Sequence, residues 1–192
     1  MRIFIAVLIL IFSLQSWTKA DDIKDFQIEG MSIGDSLLDY FSKNEIINSE
    51  LNYFSKKRKY YIVGFVNSLS NYDQIEIYLK HNDNKYEIKT LAGMIDIENL
   101  DECLSKRKEI VSDIEQLFVN ATKSTGSKPN ETDKTGNSIQ YINQYLFNKD
   151  NHIRVECMQW SQKMKIEREY VNSLNLVVMS DEISNWVASG YK

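Results

Sequence analysis

Two serines stand in settings that could activate a hydroxyl, both within Glu29–Tyr40, EGMSIGDSLLDY. Gly30-Met31-Ser32-Ile33-Gly34 has the Gly-x-Ser-x-Gly spacing of a nucleophile elbow, in which a sharp strand-to-helix turn presents the serine to a base. Gly34-Asp35-Ser36-Leu37 overlaps it and offers a second serine. A nucleophilic serine needs a base to take its proton and a third group to orient that base. The chain holds 2 histidines, His81 and His152, each in a polar, turn-like stretch, and none follows His152. An elbow also needs an apolar strand running into the turn. Here Asp21–Glu29, DDIKDFQIE, is charged and broken in pattern.

The block Gly34-Asp35-Ser36-Leu37, early in the chain, resembles the signature of the GDSL esterases. That resemblance implies a serine hydrolase using Ser36. The family also carries a Gly-x-Asn-Asp block and an Asp-x-x-His near the C-terminus, and this chain has neither. The residues read more simply as a helix start: Gly34 breaks the chain, Asp35 or Ser36 caps, and Leu37-Leu38 open an apolar face. The exported hydrolase is therefore the alternative reading, and no catalytic residue is assigned.

Other chemistry is sparse. His81 with Asp83, and Asp150 with His152, give two ligands each where a zinc site needs three or four. The twelve-residue calcium loop ending in Glu is missing, as is any Gly-rich phosphate loop, so no metal or cofactor is expected. The net charge is −4, and Lys56-Lys57-Arg58-Lys59 is the only run of four basic residues. That balance does not suit nucleic acid, whose binding rests on phosphate neutralisation. The 11 tyrosines and 3 tryptophans leave room for an aromatic ligand-binding face. Its candidates are Tyr78, Tyr86, Tyr141, Tyr145 and Trp160.

The elements that would position these residues follow from periodicity. Leu37, Leu38, Phe41, Ile46 and Ile47 recur at helical spacing and predict one or two short helices. Lys59–Val66, Asp73–Lys80 and Lys85–Ile95 read as three strands in a meander, rich in β-branched and aromatic residues. Asn99–Ala121 is an amphipathic helix, with Leu100, Cys103, Leu104, Ile110, Val111, Ile114, Leu117 and Phe118 on its apolar stripe. Thr122–Ser138 has no large apolar residue and holds the chain's only proline, so a mobile loop is expected at about 122–138. A second hairpin, Ile139–Phe147 and His152–Trp160, precedes a strand at Leu174–Ser180 and a short helix at Asp181–Ser189. The turns within Leu79–Lys89 and Leu146–Glu156 align, a weak hint of internal duplication. The fold class is thus α+β: an antiparallel sheet built from hairpins, the long helix (about 99–121) packed on one face, and short helices at both ends.

The segment that opens the chain sets the context. Arg2, the apolar run Ile3–Leu14 and the small-x-small triplet Thr18-Lys19-Ala20 have the grammar of a secretory signal peptide. The run is shorter than the ~20 residues needed to span a bilayer. Residues 1–20 are expected to be removed, leaving 21–192 as a single domain with a net charge of about −6, no stable membrane span and a periplasmic or secreted location. Export makes a disulfide the expected state of the 2 cysteines, Cys103 and Cys157. Cys103 lies on the helix stripe, and Cys157 shares strand parity with Ile153 and Val155. Both point to the place where helix meets sheet.

The mature opening, ADDIKDFQIEGMSIGDSLLDYFSKNEI, with LAGMID, VECMQWS and the closing NLVVMS, resembles small exported proteins of SAR11 (Pelagibacter-type) marine alphaproteobacteria. The resemblance implies a periplasmic address and no active site. The resulting expectation is a non-catalytic binding or envelope-accessory domain, its partner an envelope protein or a small ligand.

Overall fold

The computed structural model describes residues 22–51, 59–66, 71–147 and 151–191. The expected signal peptide lies outside them, as do most of Lys56–Lys59 and most of the turn at 148–151.

Eight strands form one antiparallel sheet in the order β1-β2-β3-β4-β8-β7-β6-β5. They are β1 (Glu50–Leu51), β2 (Tyr60–Val66), β3 (Gln74–Lys80), β4 (Thr90–Asp96), β5 (Thr122–Pro129), β6 (Ile139–Leu146), β7 (His152–Gln159) and β8 (Ser173–Met179). Each half of the chain thus supplies a four-stranded meander, and the halves join through β4 and β8. About that seam β3 corresponds to β7 and β4 to β8. The two aligned stretches, between β3 and β4 and between β6 and β7, occupy different places in this scheme, so the strand order gives their likeness no support as a repeat.

Period-two alternation gives the sheet one apolar and one polar face. In register across six strands, Val63, Ile77, Leu91, Val178, Ile153 and Tyr145 form a single buried row. This face is covered by α2 (Leu100–Leu117), which crosses β7 and β8, and by the N-terminal segment with Ile23, Ile28, Met31, Leu37 and Ile46. Asn99 caps α2, its side chain accepting from the Glu102 amide. A disulfide joins Cys103 of α2 to Cys157 of β7, with Cα atoms 6.0 Å apart, as helix stripe and strand parity together require. The shorter α1 (Lys43–Asn48) starts at a reciprocal capping box between Ser42 and Glu45.

The opposite face carries α4 (Asp181–Ala188) at one end. There Ile183 and Trp186 bury against Tyr60, with Tyr78 and Met179 beside them. At the other end lie α3 (Gln162–Arg168) and the segment that follows it.

Three expectations are corrected. Residues 122–129, expected in a loop, form edge strand β5, and the following turn is organised by Asp133, which accepts from Ser138 Oγ at 2.6 Å and Thr135 Oγ1 at 2.7 Å. Every residue of β5 is exposed, so no apolar face was there to announce a strand, while Lys123, Lys128 and Pro129 guard the edge against further pairing. The strand expected over 85–95 begins at Thr90 instead. Tyr86 has φ +52°, and 86–88 pair with 34–37, where Ile88 N donates to Asp35 O and Gly34 N to Ile88 O. The long helix ends at Leu117, and Phe118 turns into the core between Phe26 and Phe147.

Candidate binding site on the polar face of the sheet

Between α4 and α3 no helix among the described residues covers the polar face of the sheet, and a cavity of about 400 Å³ lies over its α3 end. The floor comes from the outward positions of four strands: Gln74 and Glu76 on β3, Met94 and Asp96 on β4, Ser173 and Asn175 on β8, and Met158 on β7. Trp160, Glu169, Tyr170 and Val171 form the wall. Trp160 leaves the end of β7 with its amide donating to Asn172 Oδ1 at 2.8 Å, and its ring packs on Tyr170 with centroids 4.5 Å apart. Ser161 caps α3, and Glu169 closes that helix with φ +57°, which turns the chain back over the sheet.

Polar groups beside the cavity are held in place by one another. Glu156 is buried on β7, accepting from Asn175 Nδ2 at 3.3 Å and Gln140 Nε2 at 3.4 Å, with the Arg154 guanidinium 3.2 Å away. A buried carboxylate is tolerable only with such partners. Asn175 thereby fixes its amide, and its Oδ1 is buried without a hydrogen-bond partner. At the rim, Asp96 has its carboxyl pushed up by burial and by the nearby charges of Asp73 and Glu98.

The five aromatic candidates do not form one face. Trp160 lines the cavity. Tyr78 sits on the same side but against the α4 cluster. Tyr141 and Tyr145 point to the other face, packed with the main core, and Tyr86 packs there too. Tyr145 is 1% exposed, and its hydroxyl donates to Glu115 Oε1 at 3.0 Å. Its place in line with Ile153 and Val178 removes it from any ligand surface. Tyr170, the partner of Trp160, carried no periodic signal.

The two serines are absorbed by local structure. Ser36 Oγ donates to the Lys85 carbonyl at 2.7 Å and accepts from Leu38 N, capping the 3-10 turn Leu37–Asp39. Asp35 accepts from Ser32 N and from the Tyr40 hydroxyl at 2.7 Å, a bond that pushes the phenol up to about 12. Ser32 is buried, with Oγ donating to Phe26 O at 3.4 Å. Ser36→Ala is expected to lower stability by about 1 kcal/mol, the usual worth of a cap, as read from urea unfolding. Wild type is expected to take up no fluorophosphonate. Labelling that Ser36→Ala abolishes would establish the hydrolase.

A second cavity, about 370 Å³, opens where α4 begins, beside Ser180, Glu182 and Lys89. Three of its charges are engaged in a structural cluster: Lys89 Nζ lies 2.7 Å from Glu87 and 3.2 Å from Glu182, which also meets Lys59 at 3.3 Å and Lys80 at 3.5 Å. Burial works to raise the Glu182 carboxyl, but Tyr60 and the lysines outweigh it and hold it at about 2. A depressed carboxylate stabilises the fold above its ordinary value of 4.5, and that contribution fades as pH falls toward 2. Glu182→Gln should therefore cost about 1 kcal/mol at pH 7, a figure reduced for solvent screening. The difference from wild type should vanish near pH 2 in a denaturation series.

Fold and site together define an α+β protein with an open eight-stranded antiparallel sheet, stapled on its apolar face and grooved on its polar one. No described helix is long and apolar enough to cross a membrane, and no group of three His, Cys, Asp or Glu among the described residues is arranged to hold a metal. No family model, no curated protein and no solved structure matches the chain.

Proposed function

We propose that this chain is an exported domain, matured by removal of residues 1–20, that acts by binding a ligand in the groove between Trp160–Tyr170 and the polar sheet face. The observation that carries the reading is the groove's construction. Side chains from four strands converge under an aromatic wall, while of the serines with hydrolase-like spacing Ser36 is occupied as a cap and Ser32 is buried, its hydroxyl donating to the Phe26 carbonyl. Ligand sites combine a concave surface and aromatic contacts with a few placed polar groups. The Cys103–Cys157 bridge supports a periplasmic or extracellular address, since such bonds persist in oxidising compartments. The likeness of the mature opening to exported SAR11-type proteins supports the same address. Rigidity serves the function as well, because the bridge fixes α2 on β7 and so steadies the strand that carries Met158 and leads into Trp160.

A small-molecule fragment titration followed by amide and indole NMR shifts tests this reading. Shifts clustered on Asn175, Trp160 and Val171 are expected. Fragments that gather at the α4 cavity, or nowhere, would contradict it.

A further inference from the structure

We infer that the groove takes a small organic cation, an ammonium group carried on an alkyl body, as its ligand. The inference rests on the binding reading above and names its ligand class. Three carboxylates, Glu76, Asp96 and Glu169, line the groove, and no basic side chain is among the described residues that line it. Long-range charge points the same way, with a chain at −4. An anion entering here would meet three like charges.

The polar groups also match a donor. An ammonium offers only donors, and the three carboxylates of the lining are acceptors; Asn175, on the floor, has an Oδ1 that is buried from solvent without a partner. Trp160 and Tyr170, 4.5 Å apart between centroids, both line the groove and are ring types that attract cations, tryptophan most strongly. Met94, Met158 and Val171 give an alkyl body apolar surface to lie on. A bare metal ion does not fit this wall, since hard cations require a full oxygen shell. Burial, and after it the charges of Asp73 and Glu98, keep the Asp96 carboxyl's pKa raised, and a bound cation would offset the repulsion.

The test uses the mature chain, residues 21–192, with NMR titrations of choline, spermidine, Nα-acetyl-lysine amide and, as a neutral arm, methyl glucoside. Saturable shifts of the Trp160 indole are expected with all three cations, and of the Asn175 side-chain amide with spermidine and the lysine amide, whose N–H groups can donate. Asp96→Asn combined with Glu169→Gln should weaken binding roughly tenfold, about 1.4 kcal/mol, and Trp160→Leu by a similar factor. Both carboxylate changes are at exposed, nearly isosteric positions, and an unchanged thermal midpoint will show that the fold is kept. Stronger binding of the lysine amide than of choline would make a basic side chain the source of the ammonium and would support the assignment. Binding of the glucoside alone would overturn the cation while leaving the groove a binding site. Amine binding indifferent to the carboxylate variants would overturn the assignment, and silence from all four probes at the groove would overturn it together with the binding reading.

Discussion

Replacing both cysteines, Cys103→Ala with Cys157→Ala, is expected to lower the unfolding free energy by roughly 4 kcal/mol. The bridge spans a sequence separation of 54, and closing a loop of that length restricts the unfolded chain by about this amount. For a protein of this size the midpoint should fall by roughly 8–16 °C. Both sulfurs are buried where α2 meets β7 and β8, so alanine leaves a small apolar gap without introducing an unpaired hydroxyl. Each single variant should lose nearly as much as the pair, because one bond is being removed in every case. Reduction of wild type should reproduce the loss. A change below about 1 kcal/mol would mean that the helix is held by packing alone.

Trp186→Ala is expected to cost about 3–5 kcal/mol, the range for removing a large buried aromatic. The helix that carries it, α4, has 8 residues and would not persist by itself in water. Its attachment depends on Ile183 and on Trp186, whose ring lies 4.9 Å from Tyr60 and 5.0 Å from Tyr191 in edge-on contacts. Loss of the indole should free α4 from the sheet while the stapled face stays folded. The check is hydrogen exchange: amides of Asp181–Ala188 should lose protection, and those of β7 should keep it. Trp186→Phe should cost much less, since an edge-on aromatic contact survives. Equal loss of protection in both elements would show that the two faces of the sheet form one cooperative unit.

Much of this architecture was legible because it follows simple periods. Gln74–Lys80 alternates cleanly, and Leu100–Leu117 repeats at three and four, so the strand could be read with near-correct ends and the helix with a near-correct start. The bridge was legible for the same reason, since helix stripe and strand parity independently aimed both cysteines at one seam. β5 was hidden because an edge strand exposed on both faces has no apolar alternation to show. Tyr145 misled as an aromatic although its parity with Ile139 and Tyr141 was available. β6 carries large apolar residues on both faces, Ile142 and Leu146 opposite Ile139 and Tyr145, and this blurred the choice.

The groove escaped for a different reason. Glu76, Asp96 and Asn175 occupy the polar positions of half-buried strands, which look like ordinary solvated residues until β3, β4 and β8 are laid side by side. Neither the antiparallel seam between β4 and β8 nor the return of Tyr170 over Trp160 is a local property. Both arise from where the chain goes after α2 and α3.

The central claim is that this is an exported, oxidised domain, and intact mass measured on protein recovered from the cell envelope under alkylating, non-reducing conditions tests it most directly. The account predicts a chain beginning at Asp21, two hydrogens lighter than its reduced form and carrying no alkyl group on Cys103 or Cys157. A chain that still holds Met1, or one alkylated at both cysteines, would contradict it.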